Sequence, residues 1–521
     1  MSSASRVQSP ATPGRPSSPF GSRLQGLSLL VVLAVVVAVR LIGLRSMQAE
    51  IYGDIAIVRE YLDLIGQGRW PFHFALSSGP LYHYLVMPVI AVAGPGYFGM
   101  KLASVVVSLG VLAATFALSR RLHGDLLALL SLFVSGVSSW LLVFSRLGNS
   151  QIVVPLLATT SLWLLVRFVT GQKRRDLLLS AAVAGLGLYG YPQSFILAPV
   201  MALTLVALRF TGLRVRWKDV GLYLSTSLVV ALPFLRIVAR DPANFITGYI
   251  GGKLLPSEGV FRILLGNVER VALSLHVHGD GVFRSNPTGR PHLDPVSGVL
   301  FLLGVLFWLQ AERRRWSPAI LVPFVLQQVP SLLVLRAPAE IPSASRTLGT
   351  APLAYILVAS GILFLLDRGT RFRAARAVLA VVLLAAVLAL NVSRYLFRYL
   401  PGLPYGNTPI GALVSSWVND LPAETDVYLV GCCWKDGMPE PKGIRFGLER
   451  PERFHQLERT EVSCEGLSRL PEPSALIWDF GTSLPDPALA PCAAWLSTRR
   501  YTSREGRPVF HAARLRRTAK D

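Results

Sequence analysis

The chain has 521 residues, of which 52% are hydrophobic, and its mean hydropathy is +0.48. The hydrophobic residues form long runs, which exclude an ordinary soluble protein. They predict a polytopic α-helical membrane protein, because about twenty apolar residues in a helix cross the hydrocarbon core. The net charge of +22 would suit nucleic acid, but the Lys and Arg residues stand in short loops between apolar runs. Since positive loops mark the cytoplasmic side, we expect no nucleic-acid partner.

Residues 1–24 are rich in Pro, Ser, Gly and Arg and are predicted to form a disordered cytoplasmic tail. The first span follows at about 25–44. No small-residue cleavage site follows it, so we expect an uncleaved span rather than a signal peptide. The loop 45–96 then lies on the outer side of the membrane.

The apolar piece 80–94 decides the rest of the topology. It is short and holds Pro88, so we predict that it lies at the outer surface without crossing. All five basic loops then fall inside, whereas a crossing here would put them outside. Eleven spans result, with the C-terminus outside. The ten after the first are about 97–119, 125–144, 151–169, 177–193, 195–210, 220–238, 295–310, 317–335, 347–366 and 376–391.

The predicted domains follow from these spans. Residues 25–391 form a transmembrane domain with outer loops 45–96 and 239–294. Residues 392–521 form a small extracytoplasmic α/β domain, because "TDVYLVG" and "SALIWDFG" are typical of buried strands bounded by turn residues. All four cysteines lie in this domain. Structural disulfides and buried free thiols both remain open.

The densest acidic stretch, "MQAEIYGDIAIVREYLDL", directly follows the first span. Glu50 and Asp54 are four residues apart and can therefore share one face of a helix. A carboxylate at this surface is a candidate general base. The alternative is the solvated face of an amphipathic helix.

Three further motifs stand after this acidic loop: "SGPLYHYLVMPVIAVAGPGYFGMKLAS", "RRLHG" and "SWLLVFSRLGNSQ". Together they resemble the GT-C superfamily of polyprenyl-phosphate-sugar glycosyltransferases, nearest to the dolichyl-phosphate-mannose protein mannosyltransferase and aminoarabinose transferase group. The resemblance covers about residues 25–210 well, is weaker through 391 and hardly reaches the tail domain. It implies an enzyme that moves a hexose or pentose from polyprenyl phosphate to a glycan, lipid or protein acceptor outside the membrane, with inversion. The basic cytoplasmic loops and their short spacing suit a bacterial plasma membrane.

The family usually carries an Asp-Glu pair where this chain has Ala49 and Glu50, and Asp54 follows one helical turn later. The resemblance therefore implies that Asp54 or Glu50 is the base. Asp54 is preferred, because a short carboxylate after the flexible Gly53 can be held firmly near a substrate.

Ten other side chains at the outer side are candidates for binding the donor phosphate and sugar. For the arginines the alternative is contact with lipid headgroups, for Asn149 a helix cap, and for the aromatic residues and the lysine an interfacial anchor. The ten candidates are Tyr82, His83, Lys101, Arg146, Asn149, Tyr191, Gln193, Arg284, Arg336 and Arg346.

No cofactor is predicted, although a divalent metal is not excluded. His276, His278 and Asp280 alternate and would share one face of a strand, where they could bind a metal. A polar loop is the alternative, and we assign no metal ligands.

Two other functions remain open, a transporter or flippase of lipid-linked sugars and an inactive scaffold of envelope glycan assembly. A transporter often shows internal repeats, and none is clear here. No Walker loop, dinucleotide fingerprint or HExxH motif occurs, which argues against a nucleotide-driven pump. The absent Asp of the family pair keeps the scaffold open, and a scaffold would tolerate loss of both Glu50 and Asp54.

Overall fold

The computed structural model describes residues 22–71, 79–242, 252, 259–367, 372–482, 484, 486–489, 491–503 and 505–517. Most of the predicted tail 1–24 and parts of both predicted loops, 45–96 and 239–294, lie outside the described residues. The chain divides into two compact units. The membrane unit comprises residues up to Ile42 and Gln67–Tyr395, and the C-terminal unit comprises Gly43–Gly66 and Leu396–Asp521.

The long apolar runs form helices, as predicted. All of the helices up to Arg394 except α2 belong to the membrane unit. In chain order they are α1 Ser22–Leu41, α2 Gly53–Gly66, α3 Leu81–Ala93, α4 Tyr97–Val137, α5 Ser139–Ser145, α6 Val153–Gly171, α7 Arg174–Gly185, α8 Leu197–Phe210, α9 Trp217–Arg240, α10 Val260–Leu273, α11 Pro295–Leu309, α12 Pro318–Leu326, α13 Val329–Leu332, α14 Ala351–Leu366 and α15 Arg373–Arg394.

Among the described residues, six helical stretches are long and apolar enough to cross a membrane. They are Tyr97–Val137, Ser150–Gly171, Pro192–Phe210, Trp217–Arg240, Leu348–Leu366 and Ala374–Gly402. Shorter apolar helices include Gly26–Leu41, Leu81–Ala93, Pro295–Leu309 and Pro318–Leu332. The chain is thus a multi-pass helical membrane protein. The count of eleven crossings and the sidedness of the loops stay predictions.

Helix α4 spans 41 residues and covers the predicted span 97–119 and most of the predicted span 125–144, which meet at a sharp turn. His123 and Gly124 leave helical geometry there, and Gly124 has a φ of +87°, which glycine adopts without strain. This turn lies in the basic loop "SRRLHGD", where a break between spans 97–119 and 125–144 was predicted.

Several apolar helices are interrupted near one end. The predicted span 177–193 ends as α7 at Gly185 and continues as a 3₁₀ segment, and the predicted span 317–335 breaks at Gln327 and Gln328 between α12 and α13. Further 3₁₀ segments precede α6, α8 and α14. Irregular backbone at membrane depth needs partners for its N–H and C=O groups, so it is tolerated where protein buries it or where it lines a polar space. The 3₁₀ segments are Ser150–Ile152, Leu186–Tyr189, Pro192–Ile196 and Leu348–Thr350.

The C-terminal unit is a small α/β domain with a five-stranded sheet. Strand order is β2-β1-β3-β5-β4, with β1 parallel to β2 and β3, and β5 antiparallel to β3 and β4. The elements are α16 Ile410–Asn419, β1 Asp426–Val430, α17 Pro441–Arg445, β2 Phe454–Leu457, α18 Cys464–Ser468, β3 Ser474–Asp479, β4 Ala493–Thr502 and β5 Pro508–Arg517.

Both faces of this sheet are covered, which explains the uninterrupted apolar runs of its central strands. Ala475 and Ile477 of β3 pack with α16 on one face, and Leu476 and Trp478 pack in a second core on the other. The two strands predicted from "TDVYLVG" and "SALIWDFG" are confirmed as β1 and β3. The cysteines form two disulfides, Cys432–Cys433 and Cys464–Cys492, as the bridged alternative expected.

The start of the predicted outer loop 45–96 groups with the C-terminal unit and not with the predicted transmembrane domain 25–391. Helix α2 is held there by contacts with residues 440–446. Glu60 of α2 pairs with Lys442 at 2.9 Å, and the Arg59 guanidinium lies 5.1 Å from the ring centre of Phe446. These long-range contacts, and not the neighbouring spans, determine the unit to which the segment belongs.

Candidate functional site

Glu50 lies at the N-terminus of α16 within the C-terminal unit. Its side chain is 4% exposed, and its Oε2 accepts a hydrogen bond of 2.9 Å from the backbone N–H of Gly411. The backbone N–H groups of Ile51 and Ile410 also bond this carboxyl group. A carboxyl oxygen fits here as an acceptor because the first N–H groups of a helix have no partner in the helix.

The fit of Glu50 depends on a glycine. A Cβ at Gly411 would lie 2.7 Å from Glu50 Oε1, so any larger residue would displace the carboxyl group. Burial raises the pKa of Glu50 to about 8, although the backbone N–H groups act in the opposite direction. Glu50 is therefore buried in its own unit, and its carboxyl group is already hydrogen-bonded by backbone N–H groups there.

Asp54 stands in the first turn of α2 and has an exposed side chain. No ion pair joins it to another described residue. The other two carboxylates of the helix are engaged, Asp63 by Arg59 at 2.8 Å and Glu60 by Lys442. Of the four acidic residues in this stretch, Asp54 is thus the one that combines an exposed side chain with no ion pair among the described residues.

Arg146 follows α5 and is 2% exposed. Its two terminal nitrogens donate to the carbonyl oxygens of Val39 and Ile42, at 2.9 and 2.8 Å, and its guanidinium lies 5.1 Å from the ring centre of Tyr395. It thereby satisfies carbonyl groups at the end of α1. This placement favours a structural role over the predicted contact with phosphate.

Asn149 caps the next segment, because its Oδ1 accepts from the backbone N–H of Ser150 at 2.6 Å. The helix-cap alternative therefore describes this residue better than a sugar contact does.

Arg40 is a single cation within the first apolar run and is not among the residues predicted from the sequence. It is fully buried and donates to Ser108 Oγ and to the carbonyl oxygens of Val36 and Gly136. Its contacts join α1 to α4 and indicate a structural role.

Tyr82, His83 and Lys101 are all buried within the membrane unit. The Tyr82 hydroxyl pairs with Ser104 Oγ at 2.8 Å and so joins α3 to α4, and Lys101 Nζ lies 4.6 Å from the ring centre of Tyr97. The three predicted donor contacts are thus buried side chains, and for Tyr82 the contact joins two helices.

Asp280, in the predicted loop 239–294, is buried, and the charges of two of the predicted arginines act on it. Its carboxylate accepts from the backbone N–H of Val282 and of Ala344, each at 2.7 Å. Burial raises the pKa of Asp280 to about 6, and the charges of Arg346 and Arg284 act against this rise. Arg346 also pairs with Glu340 at 2.6 Å. Arg284 and Arg346 are thus close enough to Asp280 for their charges to act on its carboxyl group.

Arg336 is exposed and lies apart from the contacts of Asp280. The motif H-x-H-x-D does not assemble into a ligand set: His276 Nε2 lies 3.2 Å from the Gly298 carbonyl oxygen, and the Asp280 oxygens accept backbone hydrogen bonds. Across the described ranges, no group of three or more His, Cys, Asp or Glu side chains is placed to hold a metal ion.

Tyr191 and Gln193 stand among glutamines that the sequence reasoning did not single out. Gln193 Oε1 accepts from the backbone N–H of Gly349 at 3.3 Å, and Gln151 Nε2 lies 3.5 Å from the Tyr191 hydroxyl. Two more glutamines, at the break between α12 and α13, complete the group. We call Gln151, Gln193, Gln327 and Gln328 the glutamine cluster. A polar residue at the end of an apolar run, as in "NSQI", "YPQS" and "LQQVP", was the available signal.

Residues 77–238 match the family model described as dolichyl-phosphate-mannose-protein mannosyltransferase. No curated protein matches the chain.

Solved structures resemble almost the whole chain. ArnT from Cupriavidus metallidurans bound to undecaprenyl phosphate has a TM-score of 0.58 and 14% identity, over 93% of this chain and 97% of that chain. The apo state of the same protein has a TM-score of 0.58 and 16% identity, over 94% of this chain and 98% of that chain. The archaeal oligosaccharyltransferase AglB from Archaeoglobus fulgidus, in complex with an inhibitory peptide and a dolichol-phosphate, has a TM-score of 0.50 and 12% identity, over 96% of this chain and 74% of that chain.

Proposed function

Since the chain has the GT-C glycosyltransferase fold, we propose that it is a membrane enzyme that transfers a sugar from a polyprenyl-phosphate donor to an acceptor outside the cytoplasm. The observation that carries the proposal is the likeness along 93% of the chain to ArnT in a form bound to undecaprenyl phosphate. The family-model match over residues 77–238 supports the same substrate class.

The proposed reaction is one inverting displacement. An acceptor hydroxyl attacks the anomeric carbon, the bond between that carbon and the phosphate oxygen breaks, and polyprenyl phosphate leaves with the electron pair. A carboxylate takes the hydroxyl proton as the new bond forms. We assign this role to Asp54, because its side chain is exposed while that of Glu50 is enclosed.

Glu50 is proposed as a positioning residue. Its bonds at the N-terminus of α16 fix the chain four residues before Asp54, so they fix the place from which α2 begins. A firmly held base keeps its geometry between turnovers.

Negative charge builds on the leaving phosphate in the transition state, so cations should face it. Arg284 and Arg346 are the best candidates, because both are half-buried and close enough to Asp280 for their charges to act on it. Arg336 remains a candidate through its exposure.

The test is sugar transfer by the full-length protein in proteoliposomes, with polyprenyl-phosphate hexoses and pentoses as donors and membrane extract as acceptor. We expect release of free polyprenyl phosphate and a glycosylated product of inverted anomeric configuration. Movement of an intact sugar lipid across the bilayer, without release, would instead assign a flippase. Neither activity with any donor would favour the scaffold.

A further inference from the structure

Three irregular segments of the membrane unit meet around Gly349, the 3₁₀ segments Pro192–Ile196 and Leu348–Thr350 and the break at Gln327 and Gln328. A fourth, the 3₁₀ segment Ser150–Ile152, is linked to this group through Gln151, whose Nε2 lies 3.5 Å from the hydroxyl of Tyr191. Gly349 lies at the centre, because a Cβ there would be 2.3 Å from Gln327 Oε1 and 3.2 Å from Gln193 Nε2. The missing side chain leaves both amides beside one stretch of backbone.

Three of these segments carry one or two members of the glutamine cluster, and each glutamine uses only part of its amide. Gln193 bonds Gly349 through Oε1, and Gln327 donates to the Pro323 carbonyl oxygen at 3.2 Å. Gln151 contacts Tyr191, and Gln328 contacts Thr350 at 3.4 Å.

The other half of each amide is buried without a hydrogen-bond partner among the described residues. The four atoms are Gln151 Oε1, Gln193 Nε2, Gln327 Oε1 and Gln328 Oε1. Gln151, Gln193 and Gln327 are each at most 5% exposed. A buried polar atom without a partner destabilises a protein, and polar side chains within a membrane domain are expensive. The open amide atoms of Gln193 and Gln327, which both lie beside Gly349, therefore indicate a use outside the fold.

We propose that the glutamine cluster binds the hydroxyl groups of an uncharged sugar ring, and this inference rests on the proposed function. The four open atoms comprise three acceptors and one donor, and a sugar hydroxyl both donates and accepts. All four members are uncharged. A site of neutral amides accommodates neutral hydroxyls but offers no counter-charge to an amino or carboxylate substituent, whose burial would be costly.

The competing explanation is that the glutamine cluster is a structural polar patch that binds no ligand. The two explanations predict different effects on sugar binding and on thermal stability when a glutamine is replaced by an apolar residue. Met has nearly the length of Gln but no hydrogen-bonding amide, so Gln193→Met and Gln327→Met remove the open atoms at little change in volume. If the cluster binds sugar, both variants bind the sugar-bearing lipid more weakly. Their thermal stability should be unchanged or raised, because an unpaired buried polar group has been removed.

The experiment compares two lipids on the full-length protein in vesicles, polyprenyl phosphate without a sugar and the polyprenyl-phosphate hexose that the wild type transfers. We expect affinity for the hexose lipid to fall about tenfold or more in each variant, and affinity for the sugar-free lipid to stay within about twofold. The matched control is Gln456→Met, since Gln456 is exposed on β2. An equal loss for both lipids, or no loss for either, would overturn the proposal.

A second measurement uses only the wild type, so it holds even if a variant fails to fold. Donors that lack one hydroxyl are compared in turn, and a site built to bond a hydroxyl rejects the analogue without it. We expect at least one deoxy donor to lose about tenfold or more in kcat/KM, and donors with an amino or carboxylate group to be poorer than the neutral sugar. If the wild type transfers a sugar but treats all these donors alike, the glutamine inference fails while the proposed function stands. If the wild type transfers nothing, the proposed function fails first.

Discussion

Two sets of buried polar side chains, Glu50 in the C-terminal unit and the glutamine cluster in the membrane unit, differ in how far their polar atoms are hydrogen-bonded. In the C-terminal unit, the carboxyl group of Glu50 is bonded by backbone N–H groups at the start of α16. In the membrane unit, members of the glutamine cluster bond the protein through one amide atom and leave the other unpaired. Burial alone therefore does not identify a binding residue. The informative feature is unused hydrogen-bonding capacity, or exposure in the case of Asp54.

The largest effect is expected at Asp54, where a carboxylate is open to the acceptor. Asp54→Asn should lower sugar transfer by about 10²–10⁴-fold, the usual contribution of a general base, with unchanged thermal unfolding because the side chain is exposed. Transfer is measured as released polyprenyl phosphate.

The matched control for this change is Asp63→Asn in the same helix, whose carboxylate pairs with Arg59. It should cost little transfer. Full activity of Asp54→Asn would remove Asp54 from the mechanism and return attention to Glu50.

Glu50 should behave as a structural residue. Glu50→Ala leaves the N–H groups at the start of α16 without their partner and should reduce the free energy of unfolding by about 1–3 kcal/mol. Glu50→Gln keeps one acceptor oxygen and should cost under about 1 kcal/mol. Thermal unfolding of the two variants measures the difference, and equal stability of both would show that the bonds to α16 contribute nothing.

Glu50 also predicts a pH dependence. Its pKa is raised to about 8 from an ordinary value of 4.5, so the folded state favours the protonated form. The stability from this group is complete below pH 4.5 and is lost as the pH rises through 8. Between pH 6.5 and 8.5 the loss should be on the order of 1–2 kcal/mol.

Hydrogen exchange of Ile410–Asn419 in the full-length protein reports this loss, since it measures local opening. Exchange in the wild type, corrected for its intrinsic pH dependence, should rise with pH, while Glu50→Gln should show no such slope. A slope that persists in Glu50→Gln would assign the titration to another group.

Asp280 is the counterpart of Glu50 within the membrane unit, and the smallest effect is expected there. Val282 and Ala344 donate to different oxygens of Asp280, so in Asp280→Asn one of the two N–H groups loses its acceptor and about 1 kcal/mol should be lost. Hydrogen exchange at residues 343–345 should be faster in Asp280→Asn than in the wild type, which would show this loss of stability. Glu269→Gln, an exposed change on α10, is the control and should leave this exchange unaltered.

Local patterns predicted most of the helices and both central strands of the small domain. Apolar runs such as that of α14 and the eight residues around β3 carry their own signal, because burial on all sides requires continuous hydrophobicity. The sequence predicts one continuous span over 317–335 and does not predict its break. Gln327 and Gln328 are only two polar residues in an apolar run, and the other local signals of a break are Pro323 and Pro330.

The partner of the first acidic loop could not be predicted, for a different reason. Glu50 bonds Gly411 across 361 positions of the chain, and no local periodicity encodes such a pairing. The preference for Asp54 as the base stays a prediction, and its exposure supports it. The roles of the ten proposed substrate-binding residues also stay predictions, although Arg146 and Asn149 occupy structural positions.

The separation of Glu50 from Gly411 has a consequence for biosynthesis. Residues 43–66 leave the ribosome early, yet they complete their fold only when residues beyond 410 have been translated. Every apolar helix between them must be inserted into the bilayer first. During that interval the apolar side chains of α2 that are buried in the finished unit, such as Ile55 and Leu62, have no native core to enter. We therefore expect this short helix to stay without its native packing until the residues beyond 410 have been made.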